Sequence, residues 1–150
     1  MVETLLSLAT MATSAFLAAT ILPFPSEATF AGLLHRGQVS PVALLTIATI
    51  FNTLGSMVNW WVGKLIANGG IGKLPQRLRP DAMTLERGET LFARFGWLAL
   101  LFSWLPGIGD LATIAAGVLR YPLPRFALIV GIGKCARYAA IWAGWMAVAG

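Results

Sequence analysis

The sequence predicts an all-α membrane protein built as an inverted repeat. Each copy is a re-entrant helical hairpin followed by a transmembrane helix, and a short amphipathic cytoplasmic segment joins the copies. Three observations carry this. The chain is 57% hydrophobic and 11% charged, with a mean hydropathy of +0.75, too apolar for a soluble globule of 150 residues. It holds two uncharged runs, residues 4–26 and 37–63, of 23 and 27 residues, each at or above the ~20 that cross a bilayer as helix. Finally, Ile21-Leu22-Pro23-Phe24-Pro25-Ser26-Glu27 and Trp104-Leu105-Pro106-Gly107-Ile108-Gly109-Asp110 each place an acid four residues after Leu-Pro, at an offset of 83 residues, and Pro41 falls on Pro124 at that offset. A helix-breaking proline and a carboxylate are both costly in lipid. Their recurrence in register predicts a duplicated fold whose working site lies at the breaks.

By length residues 1–150 form a single domain, with repeat one at about 5–63, a connector at 64–94 and repeat two at 95–149. In the first segment, running from Leu5 to about Leu34, Pro23 and Pro25 stop a straight helix by removing backbone donors and crowding the preceding turn. The acid Glu3 and the lack of any Lys or Arg ahead of this run argue against a cleaved signal peptide. Residues 35–41 make a short polar connection. Residues 42–62 are the cleanest span, ending at Gly63-Lys64, where the lysine stem reaches toward the head groups.

The connector holds Lys64, Lys73, Arg77, Arg79, Arg87 and Arg94, and Pro80-Asp81 reads as a helix start. Leu85, Leu91, Phe92 and Phe95 give that helix a partly apolar face. Residues 95–119 form the second broken segment. The 15 uncharged residues before Asp110 and the nine after it reach only about 22 Å and about 14 Å as helix, so neither half crosses a ~30 Å core alone. Arg120 and Arg125 follow it and six basic residues precede it, so the positive-inside preference puts both ends in the cytoplasm and favours a re-entrant hairpin over a crossing. The last span is 126–148. With 42–62 running inward and 126–148 running outward, the two copies have opposite orientation, the layout of inverted-repeat transporters.

The candidate pathway residues are Glu27, Asp110, Arg137, Lys134, Asn52 and Asn59, and the candidate break residues are Pro23, Pro25, Pro106, Gly107 and Gly109. Each acid lies just after a break, where the free N–H groups of a returning helix favour an anion. Capping alone would explain one such acid. Two in register are a dearer solution than Ser or Asn, since a midplane acid costs ~2.5–3.5 kcal/mol on insertion scales. Lys134 and Arg137 share a helix face, and Arg137 is too deep to snorkel, which predicts pairing with Glu27 or Asp110. Such a pair is either structural or a site for a phosphate-like head group, to which arginine offers a bidentate fork. Asn52, Ser56 and Asn59 recur at helical spacing, either to bridge helices beside Gly55 or to line a pathway. Trp60-Trp61, Trp142 and Trp145 read as interfacial belts.

No P-loop, dinucleotide fingerprint or nucleophile–base pair is present, so no enzyme activity and no cofactor are expected. His35 and Cys135 are each alone, which excludes a His/Cys metal cluster and an internal disulfide. The net charge of +5 is a topology signal and not a nucleic-acid signal, because the basic residues cluster between apolar spans.

Several blocks resemble one family. They are Ala18-Ala19-Thr20-Ile21-Leu22-Pro23 with Ser26-Glu27; Asn52-Thr53-Leu54-Gly55; Gly63-Lys64; Ser103-Trp104-Leu105-Pro106-Gly107-Ile108-Gly109-Asp110; and Gly133-Lys134-Cys135-Ala136-Arg137-Tyr138. Together they cover nearly the whole chain and are similar to the DedA (SNARE-associated, VTT-domain) superfamily. The resemblance implies two opposed re-entrant hairpins, a multi-pass bacterial inner-membrane location and movement of a polyprenyl phosphate or phospholipid in dependence on the proton gradient. It carries the hairpin acid over to Glu27. Where the superfamily typically has arginines flanking the second Pro-Gly turn, this chain has Trp104 and Asp110, leaving Lys134 and Arg137 as the intramembrane cations. Membrane lipids are the expected partners. So small a chain has little surface to enclose a pathway, which predicts a homo-oligomer. A proton- or cation-coupled transporter of a small solute and a non-transport structural subunit are the alternative functions.

Overall fold

The computed structural model of the chain describes residues 1–20, 25–76, 79–105 and 107–149, with Ala149 described by its backbone only. The secondary structure among the described residues is all helical, with one 3-10 turn at Ile71–Lys73. The helices are α1 (Val2–Ala18), α2 (Ser26–Arg36), α3 (Pro41–Ala67), α4 (Ala82–Phe95), α5 (Trp97–Leu101), α6 (Ile108–Val118) and α7 (Leu123–Ala149). The chain divides into two compact units, residues 1–55 with 134–150 and residues 56–133. Each unit therefore combines short helices with part of α3 and part of α7. The short helices α2 and α6 are 11 residues each, and α3 and α7 are 27 each. Only α3 and α7 are long and apolar enough to cross a membrane among the described residues.

In the first unit α1 and α2 pack together, and Ser14 Oγ donates to Thr29 Oγ1 at 2.9 Å. Their core is Met11 and Ala15 of α1 with Phe30, Leu33 and Leu34 of α2, closed by Leu44 and Ala48 of α3 and Tyr138 of α7. The Phe30 and Tyr138 ring centroids lie 5.2 Å apart. Gly55 lets α3 lie directly on α1: a Cβ there would land on the Phe16 carbonyl oxygen.

In the second unit Trp60, Ala99, Leu100, Ala112, Ala116, Phe126 and Val130 form the core. Small residues set its spacing. A Cβ at Gly117 would fall on the Trp60 carbonyl oxygen and one at Gly63 on that of Ile114, so the α3 and α6 backbones touch. Asp81 caps α4 as its sequence predicts, its carboxylate accepting from the Thr84 amide at 2.7 Å.

Polarity is distributed as lipid demands. Leu5, Leu6, Val42, Ile50, Trp61, Leu128 and Ile132 are exposed, whereas Ser26, Asn52, Ser56, Asn59, Thr113 and Lys134 are buried. Exposed aliphatic side chains together with buried amides, hydroxyls and a buried lysine suit a chain whose surroundings are lipid.

Four details depart from the sequence-based reading. The long helix α3 runs on to Ala67, so Gly63-Lys64 lies inside it, and the Lys64 ammonium sits 5.2 Å from the Trp60 ring centroid. The polar connection after α2 shortens to residues 37–40, because α2 continues to Arg36 before Gly37 closes it in the left-handed conformation (φ 64°). A further break at Gly96 (φ 56°) separates α4 from α5. Trp60 is a core residue and not an interfacial one: it is buried, and its indole N–H donates to the Tyr121 carbonyl at 2.9 Å. The expected breaks at Pro23 and Pro106 lie outside the described residues.

Candidate functional site

In the first unit the site grows from the start of α2. Pro25 is the N-cap residue and gives that helix end no side-chain hydrogen bond. Glu27 stands in the first turn, where the unpaired amides and helix dipole favour a carboxylate. Its Oε1 forms an ion pair with Arg137 Nη2 on α7; the two side chains are 35% and 24% exposed, neither solvated like a surface pair nor sealed in the core. Glu27 is one of the two partners that the sequence offers to Arg137. Lys134, three residues earlier on α7, is buried.

Behind the ion pair lies a polar chain that sequence reasoning did not assemble. Asn52 Nδ2 donates to the Ala15 carbonyl at 2.9 Å and to the Tyr138 hydroxyl at 3.1 Å. The Tyr138 hydroxyl donates to Ser26 Oγ at 2.9 Å, and Ser26 Oγ lies 3.5 Å from Glu27 Oε1. Asn52, Tyr138 and Ser26 are all at most 2% exposed. Two signals were available. Ser26 and Tyr138 each adjoin a singled-out charge, and Tyr138 is a tyrosine deep within a span, away from the interfacial belt where that residue is usual.

In the second unit Gly107 (φ 78°) is the N-cap residue of α6 and Asp110 stands in its first turn. The positive φ explains a glycine at this break, since other residues are strained there. Gly109 has a different role: a Cβ on it would collide with the Ser103 carbonyl. Asp110 Oδ1 accepts from Asn59 Nδ2 at 3.3 Å, and the same nitrogen lies 3.3 Å from Thr113 Oγ1. Thr113 Oγ1 donates to the Asp110 carbonyl at 3.0 Å. Both units thus set an acid in the first turn of an 11-residue helix and bury one α3 amide in hydrogen bonds. Glu27 pairs with the Arg137 guanidinium, and Asp110 accepts from the Asn59 amide. Among the described residues no three His, Cys, Asp or Glu side chains converge.

Ionisable and amide groups gathered inside an apolar-skinned helical chain define a membrane protein with polar chemistry at its helix breaks. The chain belongs to the VTT-domain (DedA) family, whose pattern matches residues 22–146. It is 33% identical to the inner membrane protein YqaA of Escherichia coli over 136 residues, 91% of this chain and 89% of that protein. It is 29% identical to an alkaline phosphatase-like protein of Lactococcus lactis, over 74% of this chain and 56% of that one. It is 30% identical to undecaprenyl phosphate transporter A of Staphylococcus aureus, over 75% of this chain and 60% of that one. No solved structure gives a significant match. The family and the YqaA relative place the protein in the bacterial inner membrane.

Proposed function

We propose that the protein moves an anionic, phosphate-bearing lipid, a polyprenyl phosphate or a phospholipid, across the inner membrane. The observation that carries this is the Glu27–Arg137 pair. A guanidinium paired with a carboxylate inside an apolar chain can serve as an exchangeable anion site, and a phosphate head group can replace that carboxylate with two parallel hydrogen bonds. Protonation of the released acid would couple movement to the proton gradient. The name of the S. aureus relative supports the substrate class, and the absence of a nucleophile–base pair in the sequence supports transport over hydrolysis.

In this reading α1–α2 and α5–α6 are re-entrant hairpins of opposite orientation, each followed by a spanning helix. The equal lengths of α2 and α6 and of α3 and α7 support the duplication. With two helices long enough to cross among the described residues, the working form in this reading is a homo-oligomer. Asp110 is the second proton-accepting group, and Asn59 orients it.

Proteoliposomes carrying fluorescent polyprenyl phosphate or phospholipid on one leaflet test the reading. The protein should equilibrate the label, and Glu27→Gln and Asp110→Asn should abolish this while keeping folded yield. Transport of small solutes alone would replace the lipid reading, and movement of neither would leave a structural subunit.

A further inference from the structure

We infer that Asn52, Tyr138 and Ser26 form a one-way hydrogen-bond relay that holds Glu27 on Arg137, and so set how readily an anion displaces that carboxylate. The direction follows from what each group can do. The Ala15 carbonyl only accepts, so the Asn52 amide must turn its nitrogen toward it, and the same nitrogen then donates to the Tyr138 hydroxyl. Having accepted there, Tyr138 sends its own proton to Ser26. Ser26 in turn has the Glu27 carboxylate as its acceptor, at a longer 3.5 Å. From Asn52 through Tyr138 to Ser26 each donor points one step closer to the Glu27 carboxylate, while the Asn52 amide is also anchored on the Ala15 carbonyl. Such chains polarise one another, and in a dry interior a donor to an ionised group is worth more than one to a neutral group. The charged side chain facing Glu27 from α7 is Arg137, and the titratable hydroxyl is that of Tyr138.

The three are positioning residues: none reaches Arg137 by these bonds, and each acts through Glu27. The relay is a property of the resting ion pair. Only its consequence for substrate rests on the transport reading above.

The reactivity of Arg137 toward phenylglyoxal, followed on its own peptide by mass spectrometry in the full-length protein, reads the relay without any substrate. Tyr138→Phe keeps the ring on Phe30 but removes the hydroxyl, and should speed modification of Arg137 about fivefold, the worth of a hydrogen bond near the middle of the usual range. Ser26→Ala should do the same and serves if Tyr138→Phe does not fold. In Glu27→Gln, where the ionised acceptor is gone, adding Tyr138→Phe should change nothing further. Unchanged reactivity in the folded single variants, or an added effect in the Glu27→Gln background, overturns the relay.

A second arm measures lipid. Because the competing carboxylate is loosened, Tyr138→Phe should lower KM for the phosphate-bearing lipid by a similar factor while changing kcat less, which a merely structural loss would not do. If Arg137 reactivity moves as expected but no phosphate-bearing lipid is transported, the transport reading fails and the relay stands.

Discussion

Arg137 and Glu27 stabilise each other in a setting between surface and core, and that fixes what their replacement should do. Exposed ion pairs are worth ~0–1 kcal/mol and breaking buried ones costs ~3–5 kcal/mol. Side chains a quarter to a third exposed put Arg137→Ala at about 2 kcal/mol of lost stability, read as thermal unfolding in detergent. Most of that cost is a carboxylate left in an apolar place without its cation. Adding Glu27→Gln should therefore restore much of the stability while leaving transport lost. If the double variant unfolds as readily as Arg137→Ala, the pair is not what holds α2 to α7. Arg137→Lys keeps the charge but not the planar fork, so it should fold yet transport poorly.

At the scale of helices, contact between backbones matters more than side-chain polarity. Gly117→Ala should cost about 1–3 kcal/mol, the usual penalty of overpacking, because its methyl falls on the Trp60 carbonyl. Gly32→Ala in α2 meets nothing nearby and should be neutral or stabilising by up to about 1 kcal/mol through helix propensity. Equal effects of the two in thermal unfolding would contradict the α3–α6 contact. The connector helix has a pH test of its own. Hydrogen bonds from Thr84, side chain first and then amide, hold the Asp81 carboxyl below the usual carboxylate range. A lowered folded value means the cap contributes fully above the unfolded value and is lost as pH falls through the folded one, so α4 should fray below about pH 4. Faster amide exchange at Met83 and Thr84 in acid, absent in Asp81→Ala, would report it.

These elements also show what a sequence can disclose. Both long helices, the Asp81 start and an ion pair for Arg137 were legible, because uncharged runs, caps and a stranded guanidinium have few physical solutions. The break at Gly96 was missed because its positive φ leaves no trace in hydropathy. The Ser26–Tyr138–Asn52 chain was missed because only folding brings residues so far apart in sequence together. Trp60 was misplaced because tryptophan suits a packed core as well as an interface, and its neighbour Trp61, which is exposed, shows that the pair divides between the two.

For the whole molecule the decisive question is on which side of the membrane each connection lies. The distribution of basic residues predicts the answer: Lys64, Lys73, Arg77, Arg79, Arg87 and Arg94 precede α5–α6 in sequence, and Arg120 and Arg125 follow it. Positive charge is retained on the cytoplasmic side, so both flanks of α5–α6 should lie there, and the pair should enter and leave by one face. The connection at residues 37–40 precedes α3, whose far end opens into the basic connector, so it should lie outside. Single cysteines at Gln38, Gln76 and Pro122 in a Cys135→Ser background test all three placements with a membrane-impermeant thiol reagent on intact spheroplasts. Only Gln38→Cys should label from outside, and the other two should label after the membrane is opened. Labelling of Pro122→Cys from outside would mean that α5–α6 crosses the bilayer. The two copies would then no longer be inverted, and the duplicated hairpin would lose its main physical argument, while the Glu27–Arg137 site in the other unit would be untouched.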